Sequence, residues 1–106
     1  MKLYFSINFG TKVGQRLILR LYDEKNEHRD HNLTYSENNN WITEIDYFSK
    51  SIQYKYLLVS EQGDVLDEEI PTHHLNLPNS FKEFVIFDNW NLKNYRLSKN
   101  RPTFSV

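Results

Sequence analysis

The sequence predicts an all-β fold, an antiparallel immunoglobulin-like β-sandwich, on three observations. A chain of 106 residues has the usual size of one domain. Seven Tyr, seven Phe and two Trp supply the rings that commonly fill sheet faces. Short runs with a two-residue hydrophobic period recur between turn residues, which is the pattern of a sandwich.

The central strand is predicted over residues 51–60, where side chains alternate between two faces. One face carries Ile52, Tyr54, Tyr56 and Leu58, and the other carries Ser51, Gln53, Lys55 and Leu57. Gly63 follows, and glycine adopts positive φ without strain. The sequence therefore predicts a hairpin into a strand over residues 64–67.

Four strands are expected before this centre. The first alternates through Leu3, Phe5, Ile7 and Phe9, the second through Leu17, Leu19 and Leu21, and the fourth through Trp41, Thr43, Ile45 and Tyr47. Residues 23–32 are almost wholly charged or amide, so we expect an exposed loop there. A short return strand over residues 33–35 and an Asn-rich turn over 36–40 complete this half.

After the centre, Pro71 should interrupt any ladder because proline has no amide hydrogen to donate. Residues 73–77 could pair briefly, and residues 82–90 form the last clear strand. Beyond residue 91 the chain is polar and basic and shows no period. We therefore expect one sandwich over residues 1–91 and a linker over 92–106 toward a following domain.

Charge and composition argue against several classes of partner. Thirteen Lys and Arg nearly balance fourteen Asp and Glu, so no strong field attracts nucleic acid or an anionic membrane. The absence of cysteine excludes disulfides and thiol chemistry. The chain opens directly into strand-like alternation without an apolar run, which indicates a soluble, cytoplasmic protein with no membrane partner.

The titratable clusters do not match known reactive motifs. His28 to His31 and the pair His73 and His74 fit no metal-ligand spacing, so solvated loops are expected and no metal or cofactor is predicted. Asp67, Glu68 and Glu69 are adjacent and would point to alternating faces of a strand, unlike a glycosidase pair, so we expect an exposed acidic run. With no nucleophile or phosphate-binding motif, we predict no catalytic residues and no enzymatic activity for this domain.

Several stretches together resemble the starch-binding modules of carbohydrate-binding family 20. The resemblance covers roughly residues 1–91 and rests on the order and spacing of its members. They are Phe5-Ser6-Ile7, Gly14-Gln15-Arg16-Leu17, Trp41 at the start of a strand, Tyr54-Lys55-Tyr56, the Gly63-Asp64 turn, and Asp88-Asn89-Trp90-Asn91. Residues 95–106 resemble the join between tandem modules at the front of the 4-α-glucanotransferases of glycoside hydrolase family 77. The resemblance implies a non-catalytic module of such a transferase.

The same resemblance implies where sugar would bind. Lys55 matches the lysine of the family's first site, and Tyr35 matches a ring of the second, with Trp41 close to it. The α-1,4-glucan would then be the partner, together with neighbouring domains of the same chain. The two platform tryptophans of the first site fall within residues 23–32 and near Leu66, where this chain has no tryptophan, and Val13 replaces a ring of the second site.

Each of these residues also has an ordinary structural explanation. Trp41 can be a core residue, Lys55 a solvated lysine on the polar face of a strand, and the Asn-rich turn beside Tyr35 a purely conformational feature. A sandwich that packs between domains and no longer binds sugar is therefore the alternative function.

Overall fold

The computed structural model describes residues 1–77 and 83–90, and the backbone of 96–98. Ten strands are defined within these residues. They are β1 (Lys2–Asn8), β2 (Arg16–Tyr22), β3 (His28–Asn32), β4 (Thr34–Tyr35), β5 (Asn40–Asp46), β6 (Ser51–Val59), β7 (Val65–Glu68), β8 (His73–Asn76), β9 (Glu83–Asn89) and β10 (Arg96–Ser98).

The strands form two sheets that enclose one core, which confirms the all-β sandwich. Sheet A has the order β10-β9-β1-β5-β4, and sheet B has the order β3-β2-β6-β7, with β8 also paired to β6. The strands β1 and β9 run parallel, whereas the other pairs described are antiparallel. Side-chain periodicity could not distinguish the two directions, since both have a two-residue period.

The predicted central strand is confirmed as β6, the longest strand described. It pairs with β2 along one edge and with both β7 and β8 along the other. Its even-numbered side chains join residues of sheet A in the core, where the rings of Phe5 and Tyr54 meet edge to face at 5.1 Å. The buried members of this core are Leu3, Phe5, Ile7, Leu17, Leu19, Leu21, Leu33, Trp41, Ile45, Ile52, Tyr54, Tyr56, Leu75, Leu77, Phe84 and Ile86.

The expectation of an exposed loop over residues 23–32 is wrong for its second half. His28–Asn32 forms β3, which pairs with β2 at the edge of sheet B. The turn before it is closed by Asp23, whose Oδ1 accepts the backbone N–H groups of Lys25 and Glu27, both at 2.9 Å. Because most of β3 is exposed, it carries no hydrophobic alternation that a sequence pattern could reveal.

A cluster of polar side chains lies inside the core, and it corrects two further expectations. The sequence predicts exposed segments for His73 and Glu69, but these residues are 7% and 1% exposed. Glu69 Oε1 accepts the backbone N–H of Tyr56 at 2.9 Å, at the gap between β7 and β8 along β6. The hydroxyls of Tyr54 and Tyr56 donate to Asp88 Oδ2 at 2.8 and 2.7 Å. These hydrogen bonds explain how ionisable groups are tolerated there.

The predicted linker over residues 92–106 falls mostly outside the described residues. Within that range, Arg96–Ser98 pairs with β9 as the edge strand β10. Sheet A thus continues past the expected domain boundary.

Candidate functional site

Lys55 lies on the outer face of sheet B, since its neighbours Tyr54 and Tyr56 point into the core. Its ammonium group bonds Glu68 Oε2 at 2.7 Å and lies 6.0 Å from the centroid of the Tyr22 ring. The hydrogen bond to Glu68 raises the pKa of Lys55, although burial opposes this rise. Lys55 is therefore a fixed, charged donor beside an aromatic ring, and we call this region the Lys55 surface.

A second ion pair extends the Lys55 surface. Arg20 is the cross-strand neighbour of Lys55 and bonds both carboxylate oxygens of Asp30, at 2.9 and 3.0 Å. The hydrogen bond from Arg20 holds the pKa of Asp30 below its ordinary value. Two such pairs side by side hold the polar face of β2, β3 and β6 in one arrangement.

Tyr35 and Trp41 form a different region at the β4 edge of sheet A, which we call the Tyr35 surface. Their rings meet edge to face with centroids 5.3 Å apart. Trp41 is only 6% exposed and belongs to the core, whereas Tyr35 is 49% exposed. Of these two residues, Tyr35 is the one that offers substantial surface to a ligand, and Trp41 supports it from below.

The Asn-rich turn holds the Tyr35 hydroxyl, which accepts the backbone N–H of Asn39 at 3.4 Å. Asn38 and Asn39 have φ of 59° and 62°, a region that Asn tolerates better than most residues. The Asn8 side chain donates to the Asn38 carbonyl and to Asn40 Oδ1, at 2.8 and 3.0 Å. These contacts give the turn a conformational role and keep Tyr35 in place.

The structure does not bring the three predicted site residues together. Tyr35 and Trp41 are neighbours in sheet A, whereas Lys55 lies on the outer face of sheet B. Sequence reasoning missed Tyr22, Arg20 and Glu68 as neighbours of Lys55. The signal lay in the pairing of β2 with β6, whose register could not be read from two strands so far apart in the chain.

The positions that lack the expected rings are exposed. Val13 and Leu66 both stand more than half exposed. Neither can provide a flat aromatic platform, so stacking on these surfaces depends on Tyr22 and Tyr35.

The residues described contain no group of three or more His, Asp or Glu side chains arranged to hold a metal ion. His28 and His31 lie on β3, and His73 bonds Glu69 in the core. The described residues form no helix with the length and apolar character needed to cross a bilayer.

The fold and these surfaces define a small β-sandwich with two surface regions that carry aromatic rings, the half-buried Tyr22 on sheet B and the exposed Tyr35 on sheet A. No protein-family model matches the sequence, and no curated protein matches it. Among solved structures, the chain is similar to a Glycoside Hydrolase Family 15 glucoamylase from Hypocrea jecorina, with a TM-score of 0.70 and 19% sequence identity. The match covers 86% of this chain and 17% of that chain. Similarity at this identity shows a shared fold, and the chain spans less than a fifth of the length of that protein.

Proposed function

We propose that this domain is a non-catalytic module that binds α-1,4-glucans such as starch, glycogen or maltooligosaccharides. The observation that carries the proposal is the placement of Lys55 beside the Tyr22 ring on the outer face of sheet B. A charged donor next to an aromatic face suits a sugar, which presents hydroxyl groups at its rim and C–H groups on its faces. The shared fold with part of a glucoamylase supports this class of ligand.

We further propose that the module stands at the N-terminus of a cytoplasmic 4-α-glucanotransferase and works beside neighbouring domains of that transferase. The sequence resemblance described above supports this assignment. In such an enzyme the module would raise the effective concentration of glucan chains near the catalytic domain. It needs no cofactor for this role.

A sandwich that packs between domains is the second candidate function. Several large apolar side chains stand more than half exposed, and an adjoining domain could cover them. They are Val13, Phe48, Val65 and Leu66. Val65 and Leu66 both lie on β7, at an edge of sheet B where another domain could add contacts.

A sugar titration distinguishes the two functions. The protein is titrated with maltoheptaose and with β-cyclodextrin, and binding is monitored by amide chemical shifts and tryptophan fluorescence. Saturable shifts around Lys55 and Tyr22, or around Tyr35, support glucan binding. The Lys55→Ala variant should weaken binding at its own surface. Lys2→Ala is the matched control, because Lys2 forms a comparable ion pair with Glu44, at 3.4 Å, on sheet A. A flat response at millimolar sugar would contradict glucan binding and favour the packing function.

A further inference from the structure

Four side chains form a line across the outer face of sheet B. The cross-strand register pairs His28 with Tyr22, Tyr22 with Gln53, and Gln53 with His74, so the line crosses β3, β2, β6 and β8. Their neighbours Leu21, Ile52 and Leu75 point into the core, which places the four on the outer face. Adjacent strands are about 4.8 Å apart, so the line is roughly 14 Å long. We call it the cross-strand row.

The cross-strand row lines a groove of about 800 Å³. The turn over residues 23–27 forms one wall, and the end of β5 with the connection to β6 forms another, through residues that include Asp46 and Tyr47. The volume falls within the range typical of small-ligand sites.

Both walls are held by internal hydrogen bonds. In the wall over residues 23–27, the Asp23 carboxylate accepts the two backbone N–H groups described above. In the second, the Tyr47 hydroxyl donates to the Ser51 carbonyl at 2.6 Å. Within the row, Gln53 Nε2 donates to Thr72 Oγ1 at 3.0 Å, which orients the amide. A site fixed in this way loses little conformational freedom when a ligand binds.

The charges of the groove select against anions. Its lining contains four carboxylates, from Asp23, Glu24, Glu27 and Asp46, but only two permanent cations, from Lys25 and Arg29. Burial and the charge of Arg29 lower the pKa of His31, so this imidazole adds less positive charge than an ordinary histidine would. A phosphate or another polyanion would therefore meet net repulsion.

The chemistry of the row matches a neutral, hydroxyl-rich ligand. One phenol ring, one amide and two imidazoles offer both donors and acceptors, and the Tyr22 ring adds an apolar face. The Lys55 ammonium lies 6.0 Å from the centroid of that ring, so the row is continuous with the Lys55 surface.

We propose that the cross-strand row binds several consecutive units of a neutral oligosaccharide, with Tyr22 contacting a sugar face and Gln53 and His74 bonding hydroxyls. This inference rests on the proposed glucan-binding function and identifies the residues and the ligand length that it uses. An oligosaccharide long enough to cover all four strands makes contacts that a shorter oligosaccharide cannot make. Maltoheptaose therefore binds more tightly than maltose.

Calorimetric titration of the full chain with these two sugars tests the proposal. Tyr22→Ala should weaken maltoheptaose binding roughly ten-fold or more, by analogy with the loss of other aromatic platforms. Gln53→Ala and His74→Ala should each weaken it several-fold and reduce the preference for the longer sugar. Because Tyr22 is half-buried, these two variants keep the test valid if Tyr22→Ala fails to fold.

Lys2→Ala is the matched control, since it removes a side chain of sheet A that belongs to neither proposed sugar-binding surface, and it should leave binding at the row unchanged. If the unmodified protein binds maltoheptaose and the Gln53 and His74 variants bind it equally well, the row is not the site although the glucan-binding function stands. If the unmodified protein binds neither sugar, the row and the function are both overturned.

Discussion

The carboxylate of Glu69 lies within 2.9 Å of His73 Nε2 through both of its oxygens, inside the core of the sandwich. Burial alone would lower the pKa of His73, but the hydrogen bond to Glu69 and the charges of Asp88 and Glu69 outweigh it and raise this pKa above its ordinary value. Burial also raises the pKa of Asp88, against the opposing effect of the Tyr56 and Tyr54 hydroxyls. The folded state therefore holds protons on this cluster more tightly than the unfolded state does.

We predict that the free energy of unfolding falls as the pH rises above about 6.5. His73 contributes its full stabilisation below its unfolded pKa, near 6.5, and this contribution is lost as the pH rises through the higher folded value. The raised pKa of Asp88 acts in the same direction, from its ordinary 3.8 upward. Urea unfolding at a series of pH values measures the slope. Glu69→Gln keeps an acceptor for the Tyr56 N–H but removes the charge, so the slope should become shallower, and an unchanged slope would count against this origin.

We predict that Tyr54→Phe and Tyr56→Phe each destabilise the fold by about 1–3 kcal/mol, because each removes a buried hydrogen bond to a carboxylate. Both hydroxyls donate to the same oxygen of Asp88, so either variant leaves one bond in place. The double variant removes both hydrogen bonds to that oxygen. Its loss of unfolding free energy should therefore exceed the sum of the losses in the two single variants. A double-mutant cycle by chemical denaturation measures the difference. Simple additivity would mean that the two tyrosines do not act as a unit.

We predict that Tyr35→Ala weakens glucan binding at the Tyr35 surface by about 1–3 kcal/mol, as for other exposed stacking rings. The ring is half exposed and its hydroxyl is held by the Asn39 backbone, so little order must be gained on binding. Tryptophan fluorescence measures this, since Trp41 contacts the ring directly. Val13→Ala serves as the control because its side chain is fully exposed. Equal affinities for the Tyr35 and Val13 variants would exclude sugar binding at this surface.

We predict that replacing glycine by alanine lowers the stability of the fold at Gly14 and Gly63 but not at Gly10. Gly14 and Gly63 have φ of +86° and +91°, so alanine at either position should cost about 1–2 kcal/mol. At Gly14 an added Cβ would lie 3.2 Å from Glu61 Oε2, which ends a flexible, exposed side chain that can move aside, so the two variants should cost about the same. Gly10 has no atom within 4 Å of an added Cβ, and Gly10→Ala should be neutral or slightly stabilising. Thermal unfolding ranks the three variants, and a stabilising Gly14→Ala would contradict the argument.

The strands that sequence could predict are those with one face in the core. The alternation over β6 exists because Ile52, Tyr54 and Tyr56 must be buried, and the burial imposes a period that can be read directly. Sequence patterns do not reveal β3 because it is a mostly exposed edge strand, stabilised by pairing with β2 and by the Arg20 to Asp30 bonds. Backbone pairing leaves no periodic signature when neither face is apolar.

The buried polar cluster escapes sequence patterns for a different reason. Glu69 ends a run of acidic residues, and His73 begins a pair of histidines, so each resembles a solvated residue when only its neighbours are considered. Each is buried because the other is present, together with the Tyr56 backbone. Local composition cannot reveal a hydrogen-bond partner that only the tertiary structure brings close.

In the candidate site, too, some features could be predicted from local sequence patterns and others depend on tertiary structure. The two-residue period alone predicts that Lys55 lies on the polar face of its strand, and the turn residues after Tyr35 predict a short return strand there; both placements are confirmed. That Tyr22 and Gln53 are neighbours depends on the register between β2 and β6, which are separated by three other strands in the chain. The strand positions of the candidate residues were thus predictable, but their grouping was not.

The parallel pairing of β1 with β9 affects how the chain reaches this structure. Every other described strand except β10 lies between these two in sequence, yet they are adjacent at the middle of sheet A. During synthesis, β1 emerges first and can pair with β5, but its other edge has no β9 until nearly all of the described chain has been made. Contacts between such distant segments slow folding, and in the interval an apolar strand with open backbone groups can pair with another molecule. The nascent chain is therefore most vulnerable to aggregation along the edge of β1 that β9 later covers.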